Sequence, residues 1–291
     1  MLKHLLFLWV FIGSYAILNA TDIRKTAFEY YPLGVIFSKE APNDLQNINF
    51  DTDFCYFYFS PSLEQLCQLK RADLCTGTIN AKKHFPDYEA YFADDLKVVR
   101  EFTDNKVLAF TEPWSPPGID SWVYSRKTGF QSNKAMYMLG CFDLVNDTTL
   151  GIAKFKIISH NAQASLSSMS TKPIPENWFI DAFNALPNGM AILDFDENVI
   201  HTNKQWEMSQ SSNHNQDLIA SINQNFLSKH FTKEDLLTSA AWLTNVTLPN
   251  GCSYDIGTYG IQEKDHKYQI IVLRPPMQYV ASPHWDVHLE N

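Results

Sequence analysis

Residues 31–38 read YPLGVIFS, and residues 186–193 read LPNGMAIL. In each copy a proline and a glycine, two positions apart, precede a short apolar run, and a phenylalanine (Phe28 or Phe183) comes shortly before. The first copy leads, after an insertion, into FCYFYFSPS, and the second continues into DFDENVIHTN. A repeat this short becomes meaningful only if the same order of elements follows each copy.

The residues after the first copy predict a unit of strands and helices. Two short runs, at 33–37 and 54–59, have the β-branched and aromatic content of strands. Residues 86–104 predict an amphipathic helix, because apolar side chains recur at steps of three and four positions. The extended runs KVLAFTEPW, SWVYSRKTGF and AMYMLGCFDLV then complete the unit. The predicted order is two strands, helices and three strands.

The second copy is followed by the same order in reduced form. MAILDF predicts a strand, and VIHTNKQWEM predicts a second strand that runs into a helix. NQDLIASINQNFLSKHF supplies helical material, and WLTNVTL, CSYDIGTYGI and YQIIVLRP predict three more strands. Residues 149–177, rich in Ser, Thr and Pro, predict a linker between the two units.

This order resembles the PAS domain family twice over. Pro32 and Gly34 fit the opening of the family's first strand, and Ser60 stands where an asparagine is usual after the second strand. The stretch YFADDLKVVREFTDNKVLAFTEPW is similar to the family's acidic helix and the strand that follows it. The other residues that match the family pattern are Asp94, Asp95, Val98, Glu112, Trp122 and Lys127 in the first unit and Pro187, Gly189, Asp194, Asp196, Asn198 and Asn203 in the second.

The resemblance implies an α+β protein with two tandem PAS-like domains, and a hydrophobic N-terminal segment precedes them in the sequence. Each domain is expected to be a curved five-stranded antiparallel sheet with helices on one face. The expected divisions are a signal peptide or anchor at 1–20, a first domain at 27–148, a linker at 149–177, a second domain at 178–276 and an irregular tail at 277–291.

The resemblance also implies a pocket between the sheet and the helices of each domain, which binds a ligand or is filled by side chains. The first unit is rich in aromatic residues. The candidate pocket residues are Tyr56, Tyr58, Tyr91, Phe92, Phe110, Trp122 and Tyr124.

The sequence gives no clear sign of a cofactor. The cysteines on predicted helices, Cys67 and Cys75, do not match the reactive-cysteine motif of flavin-binding members of the family, so we expect buried free thiols and no flavin. His84, just before the long helix, is the one candidate for a haem ligand. Its neighbours Lys82 and Lys83 favour a solvent-facing position instead, so we expect no haem.

An enzyme is the rival class. Asp194, Asp196 and His201 lie close together in the sequence, but G-x-S-x-G, H-E-x-x-H and Gly-rich phosphate loops are all absent. Asp94 and Asp95 lack companions for a metal site and are interpreted as solvated acids on a helix surface. We therefore expect no catalytic residue, no metal and no enzymatic activity.

Residues 5–18 contain no charged side chain. This run is shorter than the roughly 20 residues that cross a bilayer and matches the apolar region of a signal peptide. A membrane anchor with the domains facing the cytoplasm is our first expectation, favoured by Arg24 and Lys25. A secreted or periplasmic protein, cleaved near Ala20, is the alternative. A mistaken start site or a helix buried against the protein is a third interpretation.

The net charge and the absence of recognisable output-domain signatures indicate which partners to expect. The formal charge of −9 opposes non-specific binding to nucleic acid. Kinase, cyclase and helix-turn-helix signatures are absent, so a sensor of this kind would act by self-association or through a separate effector. Trp178 and Phe179 are candidates for a dimer or interdomain seam. A sensory module is the first functional hypothesis, an extracytoplasmic small-molecule receptor the second and an enzyme the third.

Overall fold

The computed structural model describes most of the chain between residues 22 and 275. The described ranges are 22–48, 55–61, 63–64, 88–104, 106–114, 121–144, 153–155, 174–209, 215–229, 231–238, 240–248, 251–263 and 265–275. His84, Cys67, Cys75 and the segments expected at 1–20 and 277–291 lie outside these ranges.

The first unit begins with a lead helix and continues into a sheet crossed by a longer helix. Its described elements are α1 (Ile23–Glu29), β1 (Val35–Glu40), β2 (Tyr56–Phe59), α2 (Tyr88–Arg100), β3 (Val107–Trp114), β4 (Ser121–Ser132) and β5 (Ala135–Leu144). The second unit has a lead helix of the same kind. Its described elements, with one preceding strand, are β6 (Ala153–Phe155), α3 (Glu176–Ala185), β7 (Gly189–Leu193), β8 (Val199–Thr202), α4 (Lys204–Met208), α5 (Asn215–Asn225), a 3-10 turn (Leu227–Lys229), α6 (Lys233–Thr238), β9 (Ala240–Thr247), β10 (Ser253–Glu263) and β11 (His266–Arg274).

Both sheets are antiparallel and share one strand order. The first runs β2-β1-β5-β4-β3, and five strands of the second run β8-β7-β11-β10-β9 in the corresponding order. The predicted α+β fold of two tandem PAS-like domains is confirmed. The second sheet also has a sixth strand, β6, which pairs with the edge of β9. This strand comes from inside the stretch predicted to be a linker.

Local sequence explains several boundaries. Asp22 caps α1 by accepting a hydrogen bond from the backbone N–H of Arg24 at 2.9 Å. Asn203 caps α4 in the same way, through the backbone N–H of Trp206 at 3.0 Å. Between β4 and β5, Asn133 and Lys134 both have positive φ angles, of 50° and 68°, which is the backbone twist that a two-residue hairpin requires.

Buried side chains form three clusters. One fills the interior of the first unit between its sheet and α2, and a second fills the interior of the other unit between its sheet and α4 to α6. The third cluster, here called the seam, takes side chains from the opposite faces of both sheets and from the lead helices α1 and α3. The seam therefore joins the two units through one continuous apolar core.

Trp178 on α3 lies at the centre of the seam and is fully buried. Six aromatic ring centroids lie 5.2–6.1 Å from the centroid of the Trp178 ring. They belong to Phe28, Phe57, Tyr58, Phe130, Tyr137 and Phe179. These rings come from α1, β2, β4, β5 and α3. The structure places both predicted seam residues, Trp178 and Phe179, inside the chain and between its two units.

Candidate functional site

The structure divides the predicted pocket residues between two faces of the first sheet. Tyr56, Tyr91, Phe92 and Phe110 lie together in the interior cluster beside α2. Tyr58 belongs to the seam on the other face. The backbone of Trp122 lies in β4 opposite Pro113, and its side chain is outside the described part of the chain.

An irregularity in β2 explains the position of Tyr58. Ser38 on β1 pairs with Tyr58, but the next residue, Lys39, pairs with Tyr56, so one residue of β2 is skipped. Phe57 and Tyr58 consequently both pack against Trp178 in the seam. Strand alternation from sequence cannot foresee such a bulge.

Tyr124 on β4 also lies apart from the interior residues. Its neighbours Ser125 and Lys127 point to the interior, where both contact Glu112. Because successive side chains of a strand point to opposite faces, Tyr124 lies on the seam side of the sheet. It is buried there.

A network of buried charges crosses the interior of the first unit. Lys39 on β1 donates from Nζ to Oδ2 of Asp95 on α2 at 2.5 Å. Lys127 on β4 donates to Oδ1 of Asp95 at 2.8 Å and to Oε1 of Glu112 on β3 at 2.6 Å. Ser125 donates to the other oxygen of Glu112 at 2.5 Å. The network ties α2 to three strands of the sheet.

Burial and charge act against one another in this network. Burial disfavours the ionised form of Asp95, but the ammonium groups of Lys127 and Lys39 outweigh it and lower the carboxyl pKa. Burial likewise opposes the charge of Lys127, but Asp95 and Glu112 outweigh it and raise the lysine pKa. The pKa of Lys39 is raised for the same reason, with Asp95 as the main partner. Lys39, Lys127 and Asp95 are therefore expected to be charged at neutral pH.

The prediction that Asp94 and Asp95 are solvated acids is wrong. Neither residue exposes any of its surface, because α2 lays this part of its length against the sheet. The sequence shows two adjacent acids on a helix, but it does not show that Lys39 and Lys127 come from strands facing them. The resemblance to the PAS family had singled out Asp95, Glu112 and Lys127. Lys39 was missed, although a lysine ending the apolar run VIFS was a usable signal.

Aromatic side chains fill the space around the network. Lys39 Nζ lies 4.8 Å from the ring centroid of Tyr56, and Lys127 Nζ lies 5.2 Å from that of Phe110. The ring of Phe37 presses on the backbone of Gly140, where an added Cβ would lie 2.5 Å from it. This part of the interior is closely packed by the protein's own side chains.

The interior of the second unit has a neutral polar cluster in place of the charges. Gln269 on β11 donates from Nε2 to Oδ1 of Asn223 on α5 at 3.4 Å and to Oγ1 of Thr258 on β10 at 3.3 Å. All three residues are buried. These bonds are long, and Nδ2 of Asn223 has no partner in the described part of the chain. The two interiors therefore differ in charge: the first holds ion pairs and the second a neutral hydrogen-bonded cluster.

In the second unit Asn203, the residue after β8, ties β7 to the lead helix α3. Asn203 Oδ1 accepts from the backbone N–H of Met190, while its Nδ2 donates to the carbonyl oxygens of Asn188 and Phe183. Ser60 replaces asparagine in the first unit and keeps one of these bonds, accepting from the backbone N–H of Ile36 at 3.1 Å. The departure from the family pattern thus preserves the strand contact.

The residues of the rival hydrolytic hypothesis lie in β8 and in the turn between β7 and β8. Asp194 Oδ1 accepts from the backbone N–H groups of Asp196 and Asn198 at 2.9 and 2.8 Å, which fixes the turn between β7 and β8. His201 lies on β8, paired with Ile192. Within the described ranges, no group of three or more His, Cys, Asp or Glu side chains is placed to hold a metal ion. Those ranges also contain no helix whose length and apolar content would let it cross a bilayer.

Comparison with solved structures gives distant similarity to sensory proteins. VqmA of Vibrio cholerae, described as a LuxR-type receptor, is 16% identical, with a TM-score of 0.33. The match covers 43% of this chain and 52% of that chain, so it spans about half of VqmA. A PAS domain of a two-component sensor histidine kinase is 12% identical, with a TM-score of 0.27 over 47% of this chain and 96% of that domain. The periplasmic sensory domain of the Campylobacter jejuni chemoreceptor Tlp1 is 10% identical, with a TM-score of 0.23 over 89% of this chain and 78% of that domain.

No family model matches the sequence, and no curated protein matches it either. The two units are PAS-like in strand order and in the placement of their helices.

Proposed function

We propose that the chain is a sensory module in which two PAS-like units respond to a small ligand or a protein partner and communicate through their shared seam. The observation that carries this proposal is the seam itself. A single apolar cluster contains side chains from both sheets and from both lead helices. A change in the packing of one unit must therefore be accommodated by the other, because closely packed cores deform little without rearrangement.

Hydrogen bonds fix the seam at defined points. Tyr259 on β10 donates from its hydroxyl to the carbonyl oxygen of Ala27 on α1 at 2.8 Å. Trp242 on β9 donates from Nε1 to the carbonyl oxygen of Leu33 at 3.1 Å. These bonds join strands of the second unit to the lead helix and opening turn of the first, so α1 is placed to carry a displacement between the units.

The charge network offers a place where a signal could start. Tyr56, Tyr91, Phe92 and Phe110 stay our proposed ligand contacts in the first unit, and the network beside them ties α2 to the sheet. A ligand or partner that competes for one ammonium group would release α2 from β1 or β4. Action through a separate effector or a second copy is part of the same proposal.

Hydrogen–deuterium exchange on the full chain tests the coupling. Lys39→Met removes one cation from the interior of the first unit, and Lys97→Met is a matched control on the exposed side of α2. We expect Lys39→Met to speed exchange within residues 253–274 of the second unit and the control to leave it unchanged. Unchanged exchange there in Lys39→Met, with faster exchange confined to the first unit, would contradict the proposal. Native mass spectrometry of the same protein then shows whether a small molecule is retained.

An extracytoplasmic receptor is the second candidate. The apolar run at 5–18 favours it, because its length matches the core of a signal peptide. Sequencing the N-terminus of the protein isolated from its native cells separates the candidates. Cleavage near Ala20 supports the receptor, and an intact Met1 supports the anchored sensor.

A further inference from the structure

A cleft lies where the end of β4 meets the lead helix of the second unit. It has a volume of about 170 Å³. The first unit contributes the turn after α2 and the end of β4, and the second contributes the last turns of α3 and the start of α4. Space of this size suits a small metabolite of about ten non-hydrogen atoms and is well below the 300 Å³ or more of pockets for drug-sized ligands.

Three charged side chains line this cleft: Asp104 from the first unit and Asp181 and Lys204 from the second. None of the three forms an ion pair or hydrogen bond with another residue in the described ranges. Some charged side chains elsewhere in the described ranges are bridged, as Lys106 is to Glu101 at 2.6 Å and Arg274 is to Asp255 at 3.0 Å.

The uncharged part of the lining adds two kinds of contact. The amide side chains of Gln131 and Asn184 face the cleft and likewise form no hydrogen bond with a described residue. Phe102, Phe130 and Ala185 give the wall an apolar portion. The cleft thus combines unused hydrogen-bonding groups with a surface for a short carbon chain, as small-molecule sites do.

We propose that this cleft binds a small molecule with two amino groups and one carboxylate, that is, a basic amino acid. Two carboxylates and one ammonium group in the lining are complemented by two cations and one anion in the ligand. Asp104 and Asp181 accept from the amino groups, Lys204 pairs with the carboxylate, and the methylene chain lies against the phenylalanines. The ligand thereby replaces the partners that these side chains lack within the described chain.

Recognition of the ligand depends only on the side chains that line the cleft. The effect of binding on signalling rests on the proposed sensory function. The ligand bridges Asp104 of the first unit to Asp181 and Lys204 of the second. Binding therefore stabilises the arrangement of the two units in which the cleft is formed. It thereby also stabilises the packing of the seam beside the cleft. The lining strand residue Phe130 belongs to the seam as well.

Isothermal titration calorimetry of the full chain with L-lysine is the experiment. We expect saturable binding, weakened roughly tenfold to hundredfold by Asp181→Asn and by Asp104→Asn, as for loss of a charged hydrogen bond. Asp217→Asn, an exposed acid on α5 outside the cleft, is the matched control and should bind as the parent does. Cadaverine, which lacks the carboxylate, should bind more weakly and should be insensitive to Lys204→Met.

The outcomes separate this site from the sensory proposal. Absence of heat with lysine at millimolar concentration, or equal affinity in the two aspartate variants and the control, overturns the site. Hydrogen exchange measured on the same samples reports on the seam. If lysine binds through the aspartates but exchange in residues 253–274 does not change, the site stands and the sensory proposal fails. Slower exchange there on binding supports both.

Discussion

Asn188 donates from Nδ2 to the hydroxyl oxygen of Tyr31 at 2.9 Å, and both side chains are buried. Tyr31 directly precedes the proline of the first repeated phrase, and Asn188 lies between the proline and glycine of the second. The two copies of the phrase therefore touch one another. Each opens the first strand of a sheet directly after a lead helix, and the lead helices meet in the seam.

Removing the Tyr31 hydroxyl should weaken the joint between the units. Tyr31→Phe leaves Nδ2 of Asn188 buried without its acceptor, and Oδ1 of Asn188 already lacks a partner among the described residues. We expect a loss of about 1–3 kcal/mol in the free energy of unfolding, the usual cost of a buried unsatisfied polar group. Urea denaturation followed by tryptophan fluorescence measures it.

A double-mutant cycle provides the control for this pair. Asn188→Leu alone should also destabilise the protein, whereas adding Tyr31→Phe to Asn188→Leu should cost clearly less than in the parent, because the donor is already gone. Fully additive losses would show that the hydrogen bond contributes nothing measurable to the joint.

Neutralising Asp95 should be among the most costly single changes in the first unit. Asp95→Asn leaves Lys39 and Lys127 buried with a weakened partner, and breaking a buried ion pair typically costs about 3–5 kcal/mol. Glu89→Gln, an exposed acid on the same helix, is the matched control and should stay within about 0.5 kcal/mol of the parent. Thermal and urea unfolding of the three proteins test this ranking, and equal stabilities would contradict it.

The network also sets a pH range for stability. The Asp95 pKa is lowered on folding, so its contribution is present above the unfolded value of about 3.9 and is lost as the pH falls through the folded pKa. The pKa values of Lys39 and Lys127 are raised, so their contribution is present below about 10.4 and is lost as the pH rises through the folded pKa. We expect the network to contribute fully between about pH 4 and pH 10.

Unfolding free energies of the parent and a quadruple variant, Lys39→Met with Asp95→Leu, Glu112→Gln and Lys127→Met, measure this contribution across that range. The difference between the two proteins should be constant from about pH 5 to pH 9 and should change below about pH 4. A difference that varies steadily with pH near neutrality would show that some other group is responsible.

Truncating Trp178 should uncouple the units. Trp178→Ala opens a cavity among six aromatic rings drawn from both units, and such changes typically cost about 3–5 kcal/mol. Because the seam lies between two units that each keep an interior cluster, we also expect unfolding to become less cooperative. Differential scanning calorimetry would show two transitions or a broadened one. A single sharp transition at lower temperature would indicate that the units still unfold together.

Apolar periodicity and turn residues determined most of the secondary structure. The amphipathic spacing over 86–104 corresponds to α2 at Tyr88–Arg100, and Asn203 marks the start of α4 after β8. The repeated phrase, together with the order of elements after it, was enough to indicate two similar units. These signals are local, because each depends on residues within a few turns or one strand.

Three features depended on the tertiary structure: the burial of Asp95 between Lys39 and Lys127, the bulge that turns Tyr58 into the seam, and the pairing of β6 with β9. Each brings together residues that are far apart in the chain or shifts a strand by one position. A local pattern specifies which face of an element is apolar, but not which distant element covers it. The sequence by itself therefore determined the elements and their repetition, and only the fold decided which charges are paired and which surfaces join the two units.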